Sequence, residues 1–194
     1  MYETPRSEVS HPRFSVCVFC ASSVKEPGAL ALARELGEAI GERGWRLVTG
    51  GGSVSMMGEV VEGTRAKGGY TLGVIPEKLR AREVADIYSD ELVVVDTMRE
   101  RKRAMDEASD AFIILPGGIG TLEEFFEVWT SRFLGFHDRP VVICDPDGFY
   151  APLLSWLEDL VERGFVQESA MRALHVSASA EETLDLCSGA SDRR

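Results

Sequence analysis

No stretch of the chain approaches the ~18 consecutive apolar residues that a membrane-spanning helix needs. The first residues, MYETPRSEVSHPRF, also lack the apolar centre of a secretory signal. No membrane association is expected, and the reading is of a cytoplasmic protein. Basic side chains are scarce: 21 Lys and Arg stand against 32 Asp and Glu, a formal net charge of -11. That balance argues against nucleic acid as a partner, because a phosphate backbone demands clustered cations. An anionic substrate would need a local exception to the field.

Metal ligands are equally sparse. The three histidines, His11, His137 and His175, and the four cysteines, at 17, 20, 144 and 187, form no clustered donor set. Cys17 and Cys20 have C-x-x-C spacing, but they lie in the apolar run FSVCVFC, which reads as a buried strand holding two small thiols. No metal and no disulfide are assigned. There is no G-x-x-x-x-G-K-[ST], and the loop GGGSVS has no acidic residue about 20 positions on, so a P-loop and a dinucleotide site are both set aside.

What remains is an alternation. With 194 residues and 44% hydrophobic content the chain suits one globular domain, placed over 14–187. The polar, aperiodic segments 1–13 and 188–194 are expected to be flexible tails. Within the domain, FSVCVFC, WRLVT, YTLGVI, LVVV, AFIIL and PVVIC alternate with the helical patterns PGALALARELGEAIGERG, VVEGTRAKGG, TMRERKRAMDEAS, TLEEFFEVWTSRF and YAPLLSWLEDLVERG. A last short helix falls near SAEETLDLC. Near-continuous Val/Ile/Leu/Phe strands separated by helices predict an α/β fold, Rossmann-like and doubly wound, with a mainly parallel sheet covered on both faces. Ligands of such sheets bind beyond the carboxyl ends of the strands.

Two strand-ending loops are glycine-rich. After AFIIL comes Pro116-Gly117-Gly118-Ile119-Gly120, with Thr121 opening a helix whose first amides lack intrahelical partners. Those amides can receive an anion. The segment Thr121-Leu122-Glu123-Glu124 equally fits a capping box, which would occupy them, and on the loop alone the two readings stand level. After WRLVT comes Thr49-Gly50-Gly51-Gly52-Ser53, where Gly51, Gly52 and Ser53 offer bare backbone for close ligand approach, or a flexible connection.

The helix TMRERKRAMDEAS supplies positive charge. Met98, Arg101, Met105 and Ala108 fall on one helical stripe, so Arg101 occupies an expected apolar position and its guanidinium needs an anionic or structural partner. A carboxylate beside a phosphate seat is repulsive unless it faces a cation or a developing positive charge. Breakage of an N-glycosidic bond creates such a charge on the sugar, which Glu123 or Glu124 could stabilise.

The motifs VTGGGSVSMMG, MRERKRAM, PGGIGTLEE and EVWTSRFLGFHDRP, in that order over about residues 14–177, resemble the LOG ("lonely guy") proteins, cytokinin riboside 5'-monophosphate phosphoribohydrolases. The resemblance implies hydrolysis of an N6-substituted adenosine 5'-monophosphate to free base and ribose 5-phosphate, without metal or organic cofactor, by a homodimer. Arg101 and Glu124 fall on the family's catalytic pair. Glu83, Arg101 with Lys102, the run Gly117, Gly118, Ile119, Gly120, Thr121, Leu122 and Glu123, and Thr130 fall on its nucleotide contacts. The aromatics Phe125, Phe126, Trp129 and Phe133 are expected either at a subunit contact or in the core. Ala21 and Ser55 stand where the family commonly has glycine. Two other readings are a non-catalytic nucleotide or cofactor carrier of the same superfamily and a lysine decarboxylase; for the latter, only Lys25, Lys67, Lys78 and Lys102 could form a Schiff base.

Overall fold

The computed structural model of the protein describes residues 14–80 and 84–189. Seven strands, β1 (Ser15–Phe19), β2 (Arg46–Thr49), β3 (Tyr70–Pro76), β4 (Glu91–Val95), β5 (Ala111–Ile114), β6 (Val141–Cys144) and β7 (His175–Ser177), form one sheet in the order β4-β3-β2-β1-β5-β6-β7. Every pairing is parallel. Seven helices cover it: α1 (Pro27–Glu42), α2 (Ser55–Ala66), α3 (Met98–Glu107), α4 (Ile119–Phe133), α5 (Ala151–Glu162), α6 (Glu168–Arg172) and α7 (Ala180–Cys187).

Strand alternation divides the core in two. Val16, Val18 and Cys20 point to the layer made with α1, α2 and α7, whereas Cys17 and Phe19 point to the layer made with α3, α4, α5 and α6. Cys17 and Cys20 are thus buried free thiols on opposite faces of the sheet, and their spacing reflects core packing. Each large side chain fully withdrawn from water, such as Phe112, Leu36 or Ile113, contributes about 2–3 kcal/mol. On one face α1 and α2 meet backbone to backbone: a Cβ on Gly37 would lie 2.1 Å from the Val60 carbonyl oxygen. Only glycine permits that approach.

Strand order reverses between β1 and β5, where the chain leaves β1 toward α1 on one face and β5 toward α4 on the other. This divergence opens a crevice at their carboxyl ends. Several sequence readings shift in detail. The second helix starts at Ser55, well before VVEGTRAKGG, and β7 and α6 had no predicted counterpart. Met98 is 44% exposed, so the buried stripe of α3 is carried by Arg101 and Met105. The expected tail 1–13 lies outside the described residues, as do 190–194; Ser188 and Gly189 close α7.

Candidate active site

The start of α3 is set by a capping box. Thr97 Oγ1 accepts the Glu100 amide at 3.2 Å, and Glu100 Oε2 accepts the Thr97 amide at 2.9 Å. That register turns Arg101 inward, where it is only 6% exposed. Its Nε donates to the Val74 carbonyl at 3.2 Å and its Nη2 to the Gly50 carbonyl at 3.0 Å. Burying a guanidinium costs several kcal/mol unless its donors are met. Here the ends of β2 and β3 meet two of them, which points the group at the carboxyl edge of the sheet.

The remaining glycine-loop backbone is spent within the protein. The Gly51 carbonyl accepts the Asp86 amide at 2.9 Å, Gly52 bridges Ala85, and the Ser53 amide and hydroxyl both donate to the Val84 carbonyl, at 2.9 and 2.6 Å. The Gly51 and Gly52 amides face Thr49 Oγ1 and Met57 Sδ. Asp86, fully buried, is tied to Arg65 at 2.8 Å and Ser89 at 2.7 Å. The loop Gly51, Gly52 and Ser53 is thus tied down within the protein, unlike a flexible connection, and it fastens the segment 84–89.

The second loop behaves differently. Helix α4 starts at Ile119 with Gly118 as its cap residue, and no side chain caps it. The first intrahelical bond runs from the Leu122 amide to the Gly118 carbonyl, 3.0 Å. Thr121 lies inside the helix and is buried, so the Thr121–Glu124 capping box does not form. Ile119 and Gly120 form an exposed turn, with Thr121 buried just beyond, and their amides carry the positive end of the helix dipole. Thr121 packs so closely on the turn that a Cβ at Gly117 would lie 2.1 Å from its Oγ1. Two further contacts hold the turn: the Ala21 amide donates to the Pro116 carbonyl at 3.2 Å, and the buried Tyr150 hydroxyl donates to the Leu115 carbonyl at 2.8 Å.

Glu124, half-buried, stands one turn into α4. Its carboxylate is close enough to Cys17 and Cys20, at the end of β1, to reinforce the upward push that burial gives both thiols; Cys20 reaches about 12. The Arg101 guanidinium acts on the same Cys17 thiol in the opposite sense. Arg101, on α3, and Glu124, on α4, thus both act on the Cys17 thiol of β1. Lys102 bridges Glu123 and Glu127. Partial burial opposes its charge, but these two hydrogen bonds outweigh it and raise the Lys102 pKa.

Other expected contacts are placed less directly. Leu122 packs into the core through its side chain. Thr130 is exposed, and at 1.5 Å per residue it stands about 14 Å along the helix from Thr121, away from the turn. Glu83 lies outside the described residues. Of the α4 aromatics, Phe125 and Trp129 are core residues, with the Trp129 indole donating to the Ala170 carbonyl at 2.8 Å, and Phe126 and Phe133 pack against that core. The core alternative therefore describes Phe125 and Trp129, while Phe126 and Phe133 keep part of their surface open; Ile119, 88% exposed, and Phe136, 81% exposed, are apolar groups that face outward near the site.

Two cavities border α4. One, about 540 Å³, runs along the middle of the helix and sets Phe19, Phe112 and Phe136 beside Lys102, Glu124 and Arg139. The other, about 710 Å³, lies at the carboxyl ends of β1, β5 and β6 and includes Ala21, Val24, Met56, Gly117, Gly118 and Phe149. Sequence reasoning missed Gly50 and Tyr150. Gly50 was visible as the first glycine of three, but the Tyr150 contact spans 35 residues and leaves no local signal.

Residues 57–187 match the family model described as "Possible lysine decarboxylase". A protein of Mycobacterium tuberculosis called cytokinin riboside 5'-monophosphate phosphoribohydrolase is 50% identical over 174 residues, covering 90% of this chain and 93% of that one. The rice protein of the same description, LOG, is 43% identical over 168 residues, covering 86% and 69%. Among solved structures, the molybdenum cofactor binding protein of Rippkaea orientalis shares the fold, with a TM-score of 0.69, 23% identity and coverage of 95% and 99%.

Proposed function

The chain belongs to the LOG family of cytokinin riboside 5'-monophosphate phosphoribohydrolases, and from that membership we propose that it hydrolyses the N-glycosidic bond of adenosine 5'-monophosphates, including N6-substituted ones. The products are the free base and ribose 5-phosphate. The observation that carries the reading is the start of α4 without a side-chain cap, one turn before Glu124, with Arg101 held inward at the carboxyl edge of the same sheet.

In this scheme the phosphate rests on the Ile119, Gly120 and Thr121 amides, with Gly117 and Gly118 letting it approach. Arg101 fixes the nucleotide. As the bond from C1' to the base nitrogen lengthens, positive charge grows on the ribose ring, and the Glu124 carboxylate stabilises it. Water then forms the new bond at C1' and gives a proton to Glu124, the departing base takes up a proton from solvent, and Glu124 returns its proton to solvent to restore the carboxylate. Lys102 and Glu123 brace α3 against α4. By the resemblance Glu83 and Thr130 are nucleotide contacts, Thr130 in an assembled homodimer, which the outward Ile119 and Phe136 favour. No described helix is long and apolar enough to cross a membrane, and the buried free thiols suit the reducing cytoplasm, where we place the enzyme.

Lysine decarboxylation does not fit the site. A Schiff-base lysine must bring a free amine to a carbonyl carbon, whereas Lys102, the lysine at the cavity beside α4, is engaged by both Glu123 and Glu127.

Incubation with AMP and with N6-isopentenyl-AMP, followed by chromatography, should release adenine and isopentenyladenine. Glu124→Gln should bind nucleotide and release neither. Intact nucleotide on the unaltered protein would instead support a carrier, and base release by Glu124→Gln would refute the assigned role.

A further inference from the structure

Arg139 is fastened to two helices at once. Its backbone is held by α4, because Arg132, in the last turn of that helix, donates from Nη1 to the Arg139 carbonyl at 2.7 Å. Its side chain reaches the end of α3, where Nη1 donates to the Asp106 and Ser109 carbonyls at 2.6 and 3.1 Å and Nη2 to Asp106 Oδ1 at 2.8 Å. A cation placed there meets the last carbonyls of the helix and the negative end of its dipole. The guanidinium also lies over the buried Phe112 ring of β5, 4.7 Å from its centre. Two residues earlier, His137 donates from Nε2 to the Val128 carbonyl at 3.1 Å, on the turn of α4 that follows Glu124.

We infer that Arg139 is a positioning residue for the hydrolysis, fixing the tilt of α3 against α4 and with it the placement of Arg101 relative to Glu124. The inference rests on the nucleotide reading given above. Arg101 is carried by α3 and Glu124 by α4, so their relative position is only as fixed as the two helices are. Lys102, bridging to Glu123 and Glu127, ties the helices beside Arg101. With that tie alone, α3 is free to pivot about it. Arg139 supplies a second tie at Asp106, one turn farther along α3, and both ties border the cavity that Glu124 lines. A reacting group misplaced by about 1 Å costs about 10²-fold in rate, even when the change is made far from the chemistry.

The test measures kcat, KM and melting temperature with AMP as substrate. Arg139→Gln removes the guanidinium and should lower kcat by about tenfold or more. KM should stay close to the parent, because the phosphate turn is held by other contacts, from Ala21 to Pro116 and from Tyr150 to Leu115. Arg139→Lys keeps a cation over Phe112 within reach of the same carbonyls and should restore most of the lost turnover. A loss confined to melting temperature or to KM overturns the inference and leaves the proposed function intact. If the glutamine variant does not fold, Asp106→Ala decides, since it removes one acceptor at a half-exposed position: a lower kcat supports the inference and an unchanged kcat overturns it. Failure of the unaltered enzyme to release adenine overturns the proposed function, and the inference with it.

Discussion

Arg101 Nη2 donates to the Gly50 carbonyl at 3.0 Å, and a Cβ built on Gly50 would lie only 1.8 Å from that same nitrogen. The first glycine of the triple is therefore a seat for the guanidinium, and its lack of a side chain is a condition of the site. Gly50→Ala should displace Arg101 and lower base release by about 10²-fold or more, the scale of losing one aligned electrostatic group. Circular dichroism should show the helices intact. Near-normal turnover by Gly50→Ala would show that Arg101 has no need of this position.

Tyr150 lies under the phosphate turn without facing substrate. Its hydroxyl donates to the Leu115 carbonyl, and Asp145 holds the Tyr150 amide from the other end. Tyr150→Phe keeps the ring packed and removes one hydrogen bond of about 1 kcal/mol, leaving a buried carbonyl unmet. As a positioning residue it should act on binding: KM for AMP rises about three- to tenfold, in line with that energy, and kcat changes less. A variant whose only defect is a lower melting temperature, with KM unchanged, would assign Tyr150 to stability alone.

Much of the architecture was legible because it depends on local pattern. The apolar runs that end in PGG and TGGG announce parallel strands with loops at one edge, and Arg101 could be found because it interrupts an apolar stripe. The misreadings share a cause: the deciding partner lies far along the chain. Thr121 looked like a cap because TLEE is a capping sequence, but Gly118 lets the helix begin two residues earlier, with Thr121 packed against Gly117. Gly51, Gly52 and Ser53 looked bare because Val84–Asp86, which occupy their backbone groups, lie more than 30 residues away. The α4 aromatics could not be assigned to core or interface because the segment around Ala170 that covers Trp129 has no periodic signal.

Buried thiols tie stability to alkaline pH. Burial, reinforced by the Glu124 carboxylate, pushes Cys20 from 9.0 up to about 12. Burial also carries Cys187 to about 12, against the opposing pull of Arg43. Below pH 9 both states keep these protons. Between about 9 and 12 the unfolded chain releases them and the folded one does not, so rising pH favours unfolding by up to about 1.4 kcal/mol per unit and thiol. The urea midpoint should fall from pH 8 to 10.5, and a Cys20→Ala/Cys187→Ala variant should fall less steeply. Equal slopes would mean that the thiols ionise alike in both states.

Ser55 opens α2 at φ 58°, in the left-handed region that disfavours a residue with a side chain. The conformation costs about 1–2 kcal/mol, and the hydrogen bond from its hydroxyl to the Val24 carbonyl returns about 1 kcal/mol. The two effects separate by substitution. Ser55→Gly removes both the strain and the bond, so stability should stay within about 1 kcal/mol of the parent. Ser55→Ala keeps the strain and loses the bond, and should cost about 1 kcal/mol. Alanine would then be the worse replacement, the reverse of the usual helix order, in which glycine is poorer by about 1 kcal/mol. Urea unfolding of the three proteins, with equal m values to confirm comparable unfolded states, reads the order directly. If alanine proves the more stable, the backbone at Ser55 does not carry the strain that its φ implies.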